Sequence, residues 1–108
     1  MSIDMTIKEI SVDELADLLE RGAPLIDVRE PDEYAAGRVS GGVLVPLATV
    51  PERLDVFRAD GPTYVICRSG ARSMRACEFV VAQGRDVVNV AGGTRAWVES
   101  GRPVDSGA

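Results

Sequence analysis

No histidine occurs anywhere in the chain. Its absence excludes every mechanism in which an imidazole activates a serine or cysteine, and it removes the commonest metal ligand. Only two cysteines are present, Cys67 and Cys77. Their spacing fits neither a CxxC redox pair nor a zinc site, so they point to thiol chemistry or core packing rather than a disulfide framework. No apolar run approaches the length of a bilayer-crossing helix. Positive charge is in deficit: 12 basic against 17 acidic residues leave a net charge of −5, which argues against nonspecific binding to nucleic acid or to an anionic membrane. The start, Met1 to Glu9, lacks the basic flank and apolar stretch of a secretory signal, so a cytoplasmic protein is expected. Repeats, linkers and low-complexity tracts are missing too.

What remains is an ordinary globular composition, 45% apolar and 27% charged over 108 residues. A chain of that size buries about 65% of its unfolded surface and folds without staples. Short β-rich runs at residues 7–10, 25–28, 43–45, 63–66 and 87–90 alternate with helical patterns. Such alternation implies an α/β fold, a mostly parallel five-stranded sheet with helices on both faces. Ser11-Val12-Asp13-Glu14 is a capping box, and Val12, Leu15, Leu18 and Leu19 share one face of the helix it opens. Further helices are expected at about 51–57, with Leu54 and Phe57 inward, at 73–83 with Ser73 as N-cap, and at 95–99. One domain is expected over residues 1–108, with its core at about 5–103 and a polar, frayed tail after Pro103.

The chemistry concentrates in Cys67-Arg68-Ser69-Gly70-Ala71-Arg72, a loop between the apolar run Tyr64-Val65-Ile66 and a helical segment. In an open α/β sheet such a loop lies beyond the carboxyl ends of the strands, where sites form. Asp27 to Glu30 and Ala91 to Thr94 should meet it there. The glycine lets the backbone curl, so that successive amide N–H groups at a helix N-terminus face the sulfur. Amide dipoles, together with Arg68, Arg72 and Arg75, favour the thiolate and should lower its pKa. With no histidine available, the surroundings of Cys67 must ionise it.

These segments resemble the rhodanese family of sulfurtransferases, in particular its single-domain members. Leu25-Ile26-Asp27-Val28-Arg29-Glu30-Pro31-Asp32-Glu33-Tyr34 is similar to the family's early motif, residues 67–73 to its active-site loop, and Val90-Ala91-Gly92-Gly93-Thr94-Arg95-Ala96-Trp97 to its closing motif. One departure is Arg38, which stands where the family more often has histidine. Cysteine-dependent phosphatases use C-x5-R; here the arginine comes one residue sooner and Ser73 takes its place, a smaller ring that suits a single sulfur atom.

The resemblance implies transfer of a sulfane sulfur from an anionic donor, thiosulfate or a persulfide, to cyanide or a thiol, through a persulfide on Cys67. It implies Cys67 as catalytic residue and Arg68, Ser69, Gly70, Ala71 and Arg72 as substrate-binding amides and cations. Ser73, Asp27 and Arg29 would support them, the last two as a loop-fixing ion pair. No cofactor or metal is called for. The implied partners are a small donor and a thiol acceptor, with a protein sulfur carrier as a further candidate. Cys77 and Trp97 read as core residues. Two other readings stay open: a non-catalytic binding or regulatory module, and a redox or arsenate-reducing enzyme using both cysteines.

Overall fold

Valine and isoleucine, with leucine, fill the runs that become strands, and the β-branched side chains of the first two suit a sheet buried on both faces. The computed structural model describes residues 6–107. Residues 1–5, which include much of the start read above as lacking a leader and the lower bound of the expected core, lie outside them. The strands are β1 (Lys8–Ile10), β2 (Leu25–Asp27), β3 (Gly42–Leu44), β4 (Thr63–Ile66) and β5 (Val87–Val90), and every residue of β2, β4 and β5 is buried. All pair in parallel in the order β1-β5-β4-β2-β3. The α/β sheet expected from the alternation is therefore present.

The helices are α1 (Val12–Glu20), α2 (Pro31–Ala36), α3 (Ala71–Ala82) and α4 (Gly93–Glu99). The Ser11 capping box forms as expected: the Ser11 hydroxyl accepts from the Glu14 amide at 3.1 Å, and the Glu14 carboxylate accepts from the Ser11 amide at 3.2 Å. Alternation along β4 divides the core. Tyr64 and Ile66 join Leu15, Leu25, Val88, Val90 and Trp97 on the side of α1 and α4. Val65 and Cys67 join Val28, Phe57, Ala76, Cys77, Val80 and Val87 on the side of α3. Cys67 thus continues the strand's inward row.

Three expectations need correction. The segment at 51–57 is not an α-helix but two 3-10 turns, Leu47–Glu52 and Leu54–Val56, with Pro51 inside the first. Proline lacks the N–H an α-helix interior needs, and short turns accommodate it; Phe57 is still buried, from an extended position. Helix α2 was not anticipated, because six residues with none buried carry no apolar period. Nor does the tail after Pro103 fray. Arg38 and Asp105 pair backbone to backbone, Gly107 donates to the Ala35 carbonyl, and the Trp97 indole donates to the Pro103 carbonyl at 3.0 Å. Arg38 completes the attachment, its guanidinium stacked 4.5 Å over the Tyr34 ring and donating to the Gly107 carbonyl at 2.7 Å. The residue that departs from the family pattern is thus a tail anchor. Among the described residues, no helix is long and apolar enough to cross a membrane.

Candidate active site

Strand β4 delivers Cys67 to the carboxyl edge of the sheet, and Gly70 turns the chain into α3. Its φ of +106° lies in the left-handed region, where glycine alone avoids a steric penalty. That turn places the Gly70 N–H 3.1 Å from the Cys67 sulfur. It also starts the helix two residues earlier than the sequence suggested, with Gly70 rather than Ser73 as N-cap. Ser73 is instead fully buried in the first turn, its hydroxyl 3.2 Å from the same sulfur.

Burial is the largest influence on the Cys67 thiol and works against its anion. It is outweighed by hydrogen bonds from the Ser73 hydroxyl and from the backbone amides of Ser73, Gly70 and Ser69, which hold the thiol below its ordinary value. Dipoles, rather than the guanidinium groups singled out from the sequence, do most to stabilise the anion. Cys77 shows the opposite balance. It is buried one helical turn on without such donors, and burial, with the charges of Glu9, Cys67 and Glu78, pushes its thiol up to about 12. The two thiols differ by their surroundings alone. Cys67 is only 1% exposed.

The arginines separate into distinct roles. Arg72 grips Glu33 of α2 with both arms, at 2.7 and 2.8 Å, and its hydrogen bond is the main cause that brings the Glu33 carboxyl down to about 2. The loop arginine assigned to substrate from the sequence is therefore held by a carboxylate. Glu33 lies within the early motif, and Pro31 followed two residues later by a glutamate is the helix-start signature that puts Glu33 at the third position of α2. Arg29 and Asp27 form the expected buried pair, Nη2 to Oδ2 at 2.8 Å, and Arg29 also donates to the Gly37 carbonyl at 2.9 Å. Arg68 and Arg75 are exposed, and Ala71 opens α3.

The loop is clamped from the β5 side. Thr94 donates to the Cys67 carbonyl through its amide at 2.8 Å and its hydroxyl at 3.0 Å, and the Arg95 amide donates to the Arg68 carbonyl at 3.0 Å. Gly93 makes that approach possible: a Cβ there would sit 2.5 Å from the Cys67 oxygen. The three segments foreseen at the sheet edge do meet. Beside the loop opens a groove of about 500 Å³ lined by Arg29, Glu33, Gly37, Arg68, Thr94, Arg95 and Val98 among others.

The family described as the rhodanese-like domain matches residues 11–100. Bacillus subtilis YtwF is 40% identical over 101 residues, spanning 92% of this chain and 98% of that protein. The thiosulfate sulfurtransferase GlpE of Pseudomonas entomophila is 33% identical over 91 residues, spanning 83% of this chain and 84% of the other. The crystal structure of a rhodanese-like domain protein from Staphylococcus aureus superposes with a TM-score of 0.84 at 34% identity, covering 94% of this chain and all of that one.

Proposed function

The chain belongs to the rhodanese family, and from that premise we propose that it is a sulfurtransferase that carries a sulfane sulfur on Cys67 from thiosulfate or a persulfide to a thiol or cyanide. The observation that carries this reading is a buried cysteine sulfur ringed by the Gly70 amide and the Ser73 hydroxyl, with its pKa lowered by them.

In the first step the Cys67 thiolate attacks the outer sulfur of thiosulfate. A new S–S bond forms at Cys67 while the donor's S–S bond breaks, and sulfite departs with that electron pair. Cys67 is left as a persulfide anion, whose outer sulfur takes the place the amides prepare for negative charge. In the second step an acceptor thiolate or cyanide attacks that outer sulfur and expels the Cys67 thiolate. A lowered pKa helps here as well, because the better-stabilised thiolate is the better leaving group.

Approach of an anion to an anion is repulsive, and exposed Arg68 supplies the opposing field at the groove, where Arg95 is paired with Glu99 at 2.9 Å. Arg72 acts mainly through Glu33, fixing the loop against α2. The groove is where an acceptor would lie, and a sulfur carrier protein would meet the same mouth. Two unpaired cysteines suit a reducing, cytoplasmic setting.

Intact-mass spectrometry after brief exposure to thiosulfate tests the proposal. The expected result is a gain of one sulfur atom, reversed by cyanide with release of thiocyanate and absent from Cys67→Ser. No gain from either thiosulfate or glutathione persulfide would overturn it in favour of a binding module.

A further inference from the structure

Asn89 lies inside β5, on the same face as Val87, and is 1% exposed. Its amide nitrogen donates to Glu9 Oε2 at 2.9 Å and to the Gly70 carbonyl at 3.2 Å. Both partners can only accept, so it is the nitrogen that must face them. Oδ1 is thereby stranded, the one buried side-chain polar atom without a hydrogen-bond partner among the described residues. Orphans of this kind are destabilising and uncommon. An apolar residue would avoid it, and the neighbours Val88 and Val90 are apolar. What the nitrogen does must account for the asparagine.

Ser73 has one hydroxyl proton and two acceptors within reach, the Cys67 sulfur and the Gly70 carbonyl, each at 3.2 Å. A carbonyl oxygen has two lone pairs. At Gly70 one receives the Met74 amide at 3.1 Å and the other the Asn89 amide. We propose that Asn89 is a positioning residue for Cys67: by saturating the Gly70 carbonyl it turns the Ser73 proton onto the sulfur. The titratable and charged groups around this network include Glu9 of β1, bound by Asn89, Arg72 of α3, bound by Glu33, and Cys77 of α3, which feels the charges of Glu9 and Cys67. The consequence for turnover rests on the sulfurtransferase reading, but thiol ionisation itself requires no sulfur donor.

The test is the pH dependence of Cys67 alkylation by iodoacetamide, followed by intact mass in the wild type, Asn89→Val, Ser73→Ala and the double variant, with folding checked by circular dichroism. Access to a buried sulfur scales the rate but leaves the midpoint of its pH profile in place. Asn89→Val and Ser73→Ala are each expected to move the midpoint upward and to slow alkylation at neutral pH by about 3- to 10-fold. The double variant should match Ser73→Ala alone, because Asn89 acts through that hydroxyl. A folded Asn89→Val with an unmoved midpoint, or shifts that add in the double variant, would overturn the inference. Asn89→Ala, which also removes the donor, takes the place of valine if that variant does not fold. Sulfur loading of the wild type is scored separately, so a protein that shows this alkylation pattern but takes no sulfur would sink the proposed function and leave the positioning role standing.

Discussion

Glu33 makes a cation of the cysteine loop into a fastener. Its carboxyl titrates near 2 in the folded chain against an ordinary 4.5, so the pair with Arg72 contributes stability in full above about pH 4.5 and loses it as pH falls toward 2. Both side chains are a quarter to a third exposed, and screening limits the contribution to about 1 kcal/mol. Glu33→Gln should therefore lower stability by that amount at pH 7 and by almost nothing at pH 2, as measured by urea unfolding at the two pH values. The thiols give a second expectation at this scale. Alkylation of the native protein should modify Cys67 with a midpoint below that of a free thiol, while Cys77, pushed up to about 12 and buried, should remain unmodified through pH 9; peptide mapping distinguishes the two sites. Cys67 was legible in the sequence because strand, cysteine, glycine and helix start coincide there. Ser73 was read as a cap because serine favours that place, yet the left-handed Gly70 took it and freed the hydroxyl for sulfur. Asn89 had no local signal, since its partners Glu9 and Gly70 are distant in the chain.

Between elements, the decisive contact is the abutment of the α4 N-terminus on the cysteine loop. Gly93 has a φ of +58°, and a methyl group there would meet two carbonyl oxygens at 2.5 and 2.6 Å, so Gly93→Ala combines backbone strain with a collision that a rigid clamp cannot relieve. It should cost about 3 kcal/mol or more and abolish sulfur loading. Gly84→Ala serves as its control. That glycine also has positive φ, +87°, but open space around its Cβ position, so only the strain of about 1 kcal/mol should appear, with loading intact. Thermal melts beside the mass assay measure both. The strands were readable within about a residue from β-branched runs, and α1 from its capping box, because those signals are local and strong. Helix α2 carries no apolar period because none of its six residues is buried, although Pro31 and Glu33 mark its start, and the 3-10 turns follow from Pro51 together with Phe57 sunk against α3.

Across the whole molecule, the sheet pairs β1 with β5 and the tail returns to the C-terminal end of α2 and to Arg38 just beyond it. Arg38 gives the measurable case. Arg38→His loses the stacking on Tyr34 and the bond to Gly107. Stability should fall by about 1 kcal/mol, seen as a lower urea midpoint, while sulfur loading stays unchanged; a loss of loading would instead place Arg38 at the entrance of the site. The sheet's parallel character was legible from alternation, whereas its strand order was not, since nothing along the chain states that β1 lies beside β5.

That order has a consequence for the protein while it is being made. The ribosome releases Cys67 well before β5, Gly93 and Thr94, and those late residues supply the β5 neighbour of β4 and the clamp on the cysteine's carbonyl. A nascent chain that has not reached them should carry a thiol no more acidic than that of a free peptide. Purified chains ending at Gln83 and at Gly101, compared for the pH midpoint of iodoacetamide labelling, should show a lowered midpoint only in the longer one. The Cys67 thiol would thus become acidic only after synthesis has passed β5 and the start of α4, when the contacts that govern it can form.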